Sequence, residues 1–287
     1  MTFRNILVPI EDSALLPSML QCAFLTAKRF SGSIEGMPVR RALLEVVAVG
    51  PDGFVGATAH LVEDFERDEA ARAQRCKDKF TGFMKDHGIT LVEPLTAMDS
   101  ITASWNEQGA PGDAVVGNRG RLFDLIVVGR PARDTSTPRM STLEAGLFDS
   151  GRPLLIAPPE TPQALGETVV IAWNGSTETA RTIAFADAFL RAAKKVVVLS
   201  VEGAMVPGPT GAELAQYLTR KGIAAEPKDI LNPDKPAGEV MLREAMALGA
   251  DLLVKGGYTQ SRVRQMIFGG ATSHILANAE MPVFMAH

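Results

Sequence analysis

The chain has 287 residues, of which 46% are apolar and 22% are charged, a composition typical of a soluble globular protein with room for two domains. A net charge of -4 without a basic stripe excludes the usual electrostatic signature of a nucleic-acid-binding protein. No apolar stretch has membrane-spanning length, and the first apolar run is too short for a signal peptide, so we expect a cytoplasmic protein. The histidines and cysteines are scattered without metal-ligand spacing.

Short β-branched runs alternate with helical patterns along the whole chain, which predicts βαβ units and a parallel sheet. In the first half we predict a strand over 5–10, a turn at 11–13 and an amphipathic helix over 14–30. The apolar stretch 42–50 and a long charged helix over about 57–87 are less regular. We interpret both as local additions to the common unit, the helix having a solvated charged face.

The second half repeats the pattern after a Pro-rich connection, Pro158 to Gly166. Its turn Asn174-Gly175-Ser176 provides an N-cap for the helix that follows. We predict strands over 168–173, 195–201, 224–230, 251–255 and 282–286, and helices over 177–193, 211–221, 237–248 and 271–279.

The ends of the two halves match in sequence. Asp124–Gly129 (DLIVVG) recurs as Asp251–Gly256 (DLLVKG), an offset of 127 residues. Pro153–Ala157 (PLLIA) recurs as Pro282–Ala286 (PVFMA), an offset of 129. Two matched strands in the same order, with the same Asp and Pro starts, indicate a duplication.

We therefore predict an α/β protein of two tandem doubly wound domains, 1–158 and 167–287, each a five-stranded parallel sheet of order 3-2-1-4-5 flanked by helices. The strands 153–157 and 282–286 would be apolar edge strands, which soluble proteins rarely leave bare. We expect the halves to pair across them as an intramolecular pseudo-dimer. A further homodimer of the whole chain stays open.

Ligands of doubly wound sheets bind at the carboxyl ends of the strands, where the winding reverses. In the second half this position selects the loops after Trp173 and after Lys255. Glycines allow close backbone approach in the second loop, and Gly269-Gly270 stands just before the last helix, whose N–H groups favour a phosphate. Further candidates for ligand contacts are Gly256, Gly257, Arg262, Arg264, Thr272 and Ser273. The alternative is two ordinary glycine turns.

At these residues the sequence resembles the universal stress protein family in its tandem two-domain form, from Ile6-Leu-Val-Pro9 to Pro282-Val-Phe-Met285. Nucleotide-binding members of that family have a Gly-x2-Gly-x9-Gly-(Ser/Thr) pattern before the last helix. This chain reads Gly256-x2-Thr259-x9-Gly269-Gly270, so Thr259 replaces the second glycine and Gly270 takes the Ser/Thr position.

The resemblance implies an adenine nucleotide site in the second half. Asn174 holds the position of a family Asp that contacts adenine, and an amide also offers a donor and an acceptor. Val201 matches the position where backbone atoms meet the adenine ring, and Ala172 and Trp173 would line the same pocket. The predicted nucleotide-binding residues are Ala172, Trp173, Asn174, Val201, Lys255, Gly256, Thr259, Gly269, Gly270, Ala271 and Thr272.

The first half departs further from the family pattern. Glu11 holds the first-strand position, and Pro131 removes an N–H from the loop where a phosphate would bind. No glycine stands opposite Gly269-Gly270 at either offset. We expect a degenerate ligand site in this half.

The leading hypothesis is thus a universal stress-type protein that binds ATP or a related adenine nucleotide through its second domain, with Mg²⁺ expected only as a companion of the nucleotide. The alternative is a stress adaptor of the same fold that binds no nucleotide. A P-loop, a carboxylate cluster for magnesium and a nucleophile paired with a base are all lacking in the sequence. We therefore expect no catalytic residue and at most slow ATP hydrolysis.

Overall fold

The computed structural model describes residues 2–43, 59–94, 100–107, 111–131, 137–257 and 270–287. In the first half the strands are β1 (Asn5–Ile10), β2 (Ser33–Pro38), β3 (Thr90–Leu91), β4 (Thr102–Trp105), β5 (Leu125–Gly129) and β6 (Leu154–Ala157). The helices there are α1 (Leu16–Phe30), α2 (Ala59–Asp86), α3 (Ala114–Gly120) and α4 (Met140–Asp149). Most of the apolar stretch 42–50, and residues 57 and 58 of the predicted charged helix, lie outside the described residues.

In the second half the strands are β7 (Thr168–Trp173), β8 (Lys195–Val201), β9 (Glu226–Ile230), β10 (Leu252–Gly256) and β11 (Val283–Ala286). Helices α5 (Thr177–Phe185), α6 (Asp187–Ala192), α7 (Gly211–Arg220), α8 (Ala237–Ala247) and α9 (Gly270–Asn278) connect or follow them. The helix predicted over 177–193 is therefore two helices, which meet at the buried Ala186. The connection predicted at Pro158 to Gly166 contains no helix or strand.

All strands of the described residues join one sheet of order β3-β4-β2-β1-β5-β6-β11-β10-β7-β8-β9. The second half contributes β9-β8-β7-β10-β11, which is the order 3-2-1-4-5 in its own strand numbers. The first half contains the same arrangement and adds the two-residue strand β3 outside β4. The prediction of five strands was therefore wrong for this half, because a pair of residues after the long α2 is too short to give a periodic pattern.

The repeated aspartate has the same structural role in both halves. Asp124 accepts hydrogen bonds from the backbone N–H groups of Arg4 and Asn5, both at 2.9 Å, at the start of β1. Asp251 accepts from the N–H groups of Glu167 and Thr168, both at 3.0 Å, at the start of β7. Asp124 thus ties the beginning of β5 to the beginning of β1, and Asp251 ties the beginning of β10 to that of β7, which explains why the duplication retains this residue.

The halves meet through β6 and β11, which pair antiparallel in the register Val283↔Ile156, Phe284↔Leu155 and Met285↔Leu154. This pairing confirms the predicted intramolecular pseudo-dimer. Each edge strand covers the other, so neither backbone edge faces water.

Four phenylalanines reinforce this contact between the halves. Phe3 and Phe30 come from the first half, and Phe189 and Phe284 come from the second. The Phe189 ring centroid lies 5.0 Å from those of Phe3 and Phe30 and 5.9 Å from that of Phe284. The cluster belongs to the apolar layer on one face of the sheet, and a second apolar layer covers the other face. Strands buried on both faces are expected to be apolar almost throughout, as β1 and β7 are.

Among the helices of the described residues, none combines the length and the apolar character needed to cross a membrane.

Candidate functional site

The candidate site lies at the carboxyl ends of β7 and β10, the neighbouring strands between which the winding of the second half reverses. The two strands pair in parallel, with Val254 opposite Ile171. One further step along this register places Lys255 beside Ala172, and the next places Gly256 beside Trp173. The sheet therefore brings together the two loops that the sequence selected.

Asn174 follows β7 and organises the start of α5. Its Oδ1 accepts hydrogen bonds from the Ser176 backbone N–H at 3.2 Å and from the Thr179 hydroxyl at 2.7 Å. Ser176 caps the helix by accepting from the Thr179 N–H at 3.2 Å. The side-chain oxygen is thus committed to the helix start.

A loop over residues 202–209 lies against the turn at Asn174. The Val206 N–H donates to the Asn174 carbonyl at 2.8 Å, and the Trp173 indole N–H donates to the Pro209 carbonyl at 2.8 Å. Gly175 has φ +81°, and a Cβ there would stand 2.9 Å from the Val206 carbonyl oxygen. This tight contact requires glycine and fixes the position of the loop over the end of β7.

The predicted pocket residues divide between the two faces of the sheet. Ala172 and Val201 belong to the apolar layer that also contains residues of α8 and α9. Trp173 belongs to the opposite layer, with α5 and α7, and is almost fully buried. Ala172 and Trp173 therefore flank the strand end from opposite sides.

Gly256 and Gly257 each allow a close approach within the protein. A Cβ on Gly256 would lie 2.4 Å from the Thr179 backbone nitrogen, so glycine lets α5 pack directly on the end of β10. The Gly257 N–H donates to the Ala286 carbonyl at 2.7 Å, and a Cβ on Gly257 would stand only 3.2 Å from the same oxygen. Both glycines thus have structural reasons to be glycine whatever ligand binds.

Lys255 is a buried cation at the end of β10. Its side chain is 8% exposed, and its Nζ donates to the Gly256 carbonyl and to the Thr272 hydroxyl, both at 2.8 Å. Burial lowers the pKa of Lys255 to about 8 from its usual 10.5, because removing water disfavours the charged form. At neutral pH the ammonium is still protonated.

The last helix, α9, begins at Gly270 behind this lysine. Thr272 in its first turn is buried, and a Cβ on Gly238, at the start of α8, would stand 2.8 Å from the Ala271 Cα. Among the described residues, nothing lies within 4 Å of where a Cβ on Gly270 itself would stand. The predicted site residues Thr259 and Gly269, and the candidates Arg262 and Arg264, lie outside the described residues.

The corresponding edge of the first half is filled by an ion-pair network. Glu11, 5% exposed, accepts from the Arg139 backbone N–H at 3.0 Å and from its Nε at 2.7 Å. The Arg139 guanidinium also pairs with Asp113 at 2.8 Å. A cavity of about 30 Å³ beside Glu11 is lined in part by Arg41 and Glu69, which form a second ion pair at 2.7 Å. The protein's own arginines thus occupy the position where a ligand would meet Glu11.

Sequence reasoning missed two of these functional contacts. Thr179 orients Asn174 from five residues away, a contact that the helix-start pattern after Ser176 allows but does not specify. Arg139 reaches Glu11 across 128 residues, and no local signal in the sequence indicates that pairing. Within the described ranges, no group of three or more His, Cys, Asp or Glu side chains could hold a metal ion.

No protein-family model and no curated protein matches the sequence. Among solved structures, a universal stress protein from Archaeoglobus fulgidus DSM 4304 matches with a TM-score of 0.67 at 15% identity, over 98% of this chain and 97% of that chain. A functionally unknown protein from Pseudomonas aeruginosa PAO1 matches with a TM-score of 0.54 at 13% identity, over 99% and 92% of the two chains. Such identities establish the fold alone. With two copies of the same unit paired through their last strands, the chain has the tandem two-domain fold of the universal stress proteins.

Proposed function

We propose that the protein binds ATP or a related adenine nucleotide through its second half and acts in a stress response. The observation that supports this most directly is the position of Asn174 and Lys255 at the carboxyl ends of β7 and β10, on either side of the point where the winding reverses. An amide donor and a buried ammonium at neighbouring strand ends offer one group for a base and one for a phosphate.

Asn174 supplies the base contact in this proposal. Since its Oδ1 is held by Ser176 and Thr179, its Nδ2 donates to a ring nitrogen of the base. The open Cβ direction at Gly270 and the buried Thr272 support a phosphate contact at the start of α9. Mg²⁺ enters only with the nucleotide, and the chain turns ATP over more slowly than about one per minute.

Isothermal titration with ATP, ADP, AMP and adenosine tests the proposal. The parent chain should bind ATP, and Asn174→Ala should weaken that binding at least tenfold. Ser176→Ala is the matched control, because it also removes one cap bond of α5 but leaves the amide in place; its affinity should stay within twofold of the parent. No heat and no thermal shift at millimolar ATP would exclude nucleotide binding.

The second candidate, a non-nucleotide adaptor, is favoured by one specific observation. Met205, Val206 and Leu231 are exposed apolar side chains at the carboxyl ends of β8 and β9, and the exposed fraction of Leu231 reaches 71%. The Asn232 N–H donates to Glu202 at 2.6 Å, which keeps the two loops together. Such side chains suit contact with another protein.

Thr259→Gly separates the two candidates, since it restores the family glycine at that position. If the variant gains ATP binding that the parent lacks, the native protein is the adaptor. If parent and variant both bind ATP, the nucleotide proposal stands.

A further inference from the structure

The outer edge of the first half contains an open groove between the long helix α2 and the edge strand β3. The groove has a volume of about 550 Å³, and its lining includes Asp78, Thr81, Gly82 and Lys85 of α2 and Leu91 of β3. Helical residues three, four and seven positions apart share one face, so the four α2 residues form a continuous stripe along the groove. We call this surface the α2–β3 groove.

The two outermost strands of the sheet are protected to different degrees. At one end, β9 contains Pro227, which has no N–H to offer a further strand, and Lys228, whose charge opposes such pairing. At the other end, β3 contains neither proline nor a charged residue, and its Leu91 side chain is 47% exposed beside the groove. The β3 edge is therefore the one at which another chain can pack.

Gly82 leaves the middle of the groove open to the close approach of another backbone. Glycine is unfavourable within a helix, and a buried helical glycine usually has a packing reason, as Gly117 has: a Cβ there would stand 2.7 Å from the Asp149 Cβ. Among the described residues, a Cβ on Gly82 would meet nothing within 4 Å. Packing within the described part of the chain thus does not explain this glycine, whereas contact with a second helix does.

The charges of the groove are complementary to themselves. Asp78 and Lys85 are both exposed and lie about 10 Å apart along the axis of α2. Among the described residues, the Asp78 carboxylate accepts from the Gln74 amide at 2.8 Å, and neither charge has an ion-pair partner. A twofold axis between Thr81 and Gly82, midway along the stripe, would bring Asp78 of each copy opposite Lys85 of the other.

We propose that the α2–β3 groove binds a second copy of this chain, with the two α2 helices antiparallel and crossing at Gly82. Two equivalent ion pairs join Asp78 to Lys85 of the partner subunit, and the exposed Leu91 of each copy is covered. Because the contact is small, we expect a dissociation constant of about 10 µM. The first half lies between β3 and the second half in the sheet, so both candidate nucleotide sites stay outside this contact.

Sedimentation equilibrium of the full chain measures the dimer directly. The parent chain should be mainly dimeric at about 100 µM. Asp78→Lys and Lys85→Asp should each weaken the dimer about tenfold, because each change replaces two attractions by two repulsions. Glu66→Lys is the matched control: it makes the same change of charge at an exposed residue of α2 outside the groove and should leave the dissociation constant within about twofold.

Two further samples make the test specific to this arrangement. An equimolar mixture of the Asp78→Lys and Lys85→Asp chains should form a heterodimer about as tight as the parent dimer, because both contacts then join opposite charges. Gly82→Gln fills the crossing point and favours the helix, so it should abolish the dimer and raise the thermal midpoint of the monomer. Circular dichroism checks that every variant folds.

Each result bears on the inference without using ATP, so the inference stands or falls independently of the proposed function. A parent chain that is still monomeric at about 1 mM would overturn it. A dimer that Asp78→Lys and Gly82→Gln both leave unchanged would show that the copies meet elsewhere. If the single charge variants dissociate and their mixture does not reassociate, the two charges do not face each other across a twofold axis, and the arrangement is wrong.

Discussion

The carboxyl ends of the strands lie at opposite edges of the sheet in the two halves, because β6 and β11 pair antiparallel, and the two halves balance charge at these ends in opposite ways. In the first half, Glu11 is compensated inside the protein by Arg139, which also pairs with Asp113. In the second half, the hydrogen-bond acceptors of the buried Lys255 among the described residues are neutral, and Asn174 replaces the carboxylate. The two halves therefore share their strand order and the repeated aspartates Asp124 and Asp251, but they differ in the charged groups at the two candidate sites.

If the two halves fold as one unit, a substitution in the phenylalanine cluster between them should destabilise the whole chain. Phe189→Ala removes a wholly buried ring that contacts Phe3 and Phe30 of the other half, and we expect a loss of about 4 kcal/mol in the free energy of unfolding. Urea denaturation followed by circular dichroism measures it. The Phe148→Ala change, at a partly exposed ring, should cost much less. Two separate transitions in the parent chain would show that the halves are not coupled.

Removing the internal cation of the first half should have the next largest effect. Arg139→Met leaves the buried Glu11 without its charged partner, and we expect a loss of about 3 kcal/mol in the free energy of unfolding at pH 7. Arg121→Met, at an exposed arginine, is the control and should cost less than about 1 kcal/mol. Equal stabilities of the two variants would mean that the ion pair does not hold this edge together.

Removing the buried cation of the second half, Lys255, should instead raise the free energy of unfolding. The pKa of Lys255, lowered to about 8 from 10.5, corresponds to at most about 3 kcal/mol of cost for the buried charge. Loss of two hydrogen bonds offsets about 2 kcal/mol, so Lys255→Met should stabilise the unliganded protein by about 1 kcal/mol at pH 7.

The stability that Lys255→Met gains over the parent should depend on pH between about 8 and 10.5, the pKa values of Lys255 in the folded and unfolded chain. Below pH 8 folded and unfolded chains are both protonated at Lys255, and the full cost of burial is present. Between pH 8 and 10.5 the unfolded chain holds more protons, so the parent gains stability as pH rises and the advantage of Lys255→Met disappears. Urea midpoints at pH 7, 9 and 10.5 measure the trend. A variant less stable than the parent at pH 7 would contradict the uncompensated charge.

The smallest effect concerns Gly270, where the family pattern has Ser or Thr. Because a Cβ meets nothing within 4 Å there, Gly270→Ser adds a hydroxyl donor at the start of α9 without a clash. We expect ATP to bind about threefold more tightly, which corresponds to less than 1 kcal/mol. Gly82→Ser, at another open helical glycine, should leave the affinity unchanged. Weaker binding by the first variant would place the phosphates elsewhere.

Most of the fold could be predicted from the sequence because its signals are local. The limits of β7 and β8 follow from short β-branched runs bounded by turns, and the pairing of β6 with β11 follows from the repeated Pro-initiated edge strands. The extra strand β3 could not be predicted, because two residues carry no periodicity.

The candidate site was less predictable, because its chemistry depends on contacts between distant residues. Asn174 and Lys255 were selected from their place after a strand, but the commitment of the Asn174 oxygen to Thr179 and the neutral partners of Lys255 require coordinates. In the first half, Pro131 indicated a changed loop, whereas Arg139 filling the site depends on a contact across 128 residues.

Calorimetric titration of ATP at pH 7 into the parent, Arg139→Met and Lys255→Met tests the difference between the halves most directly. We predict one ATP per chain, an unchanged affinity in Arg139→Met, and an affinity at least tenfold weaker in Lys255→Met. Two ATP molecules per chain, or binding that depends on Arg139 and not on Lys255, would contradict a single open site in the second half.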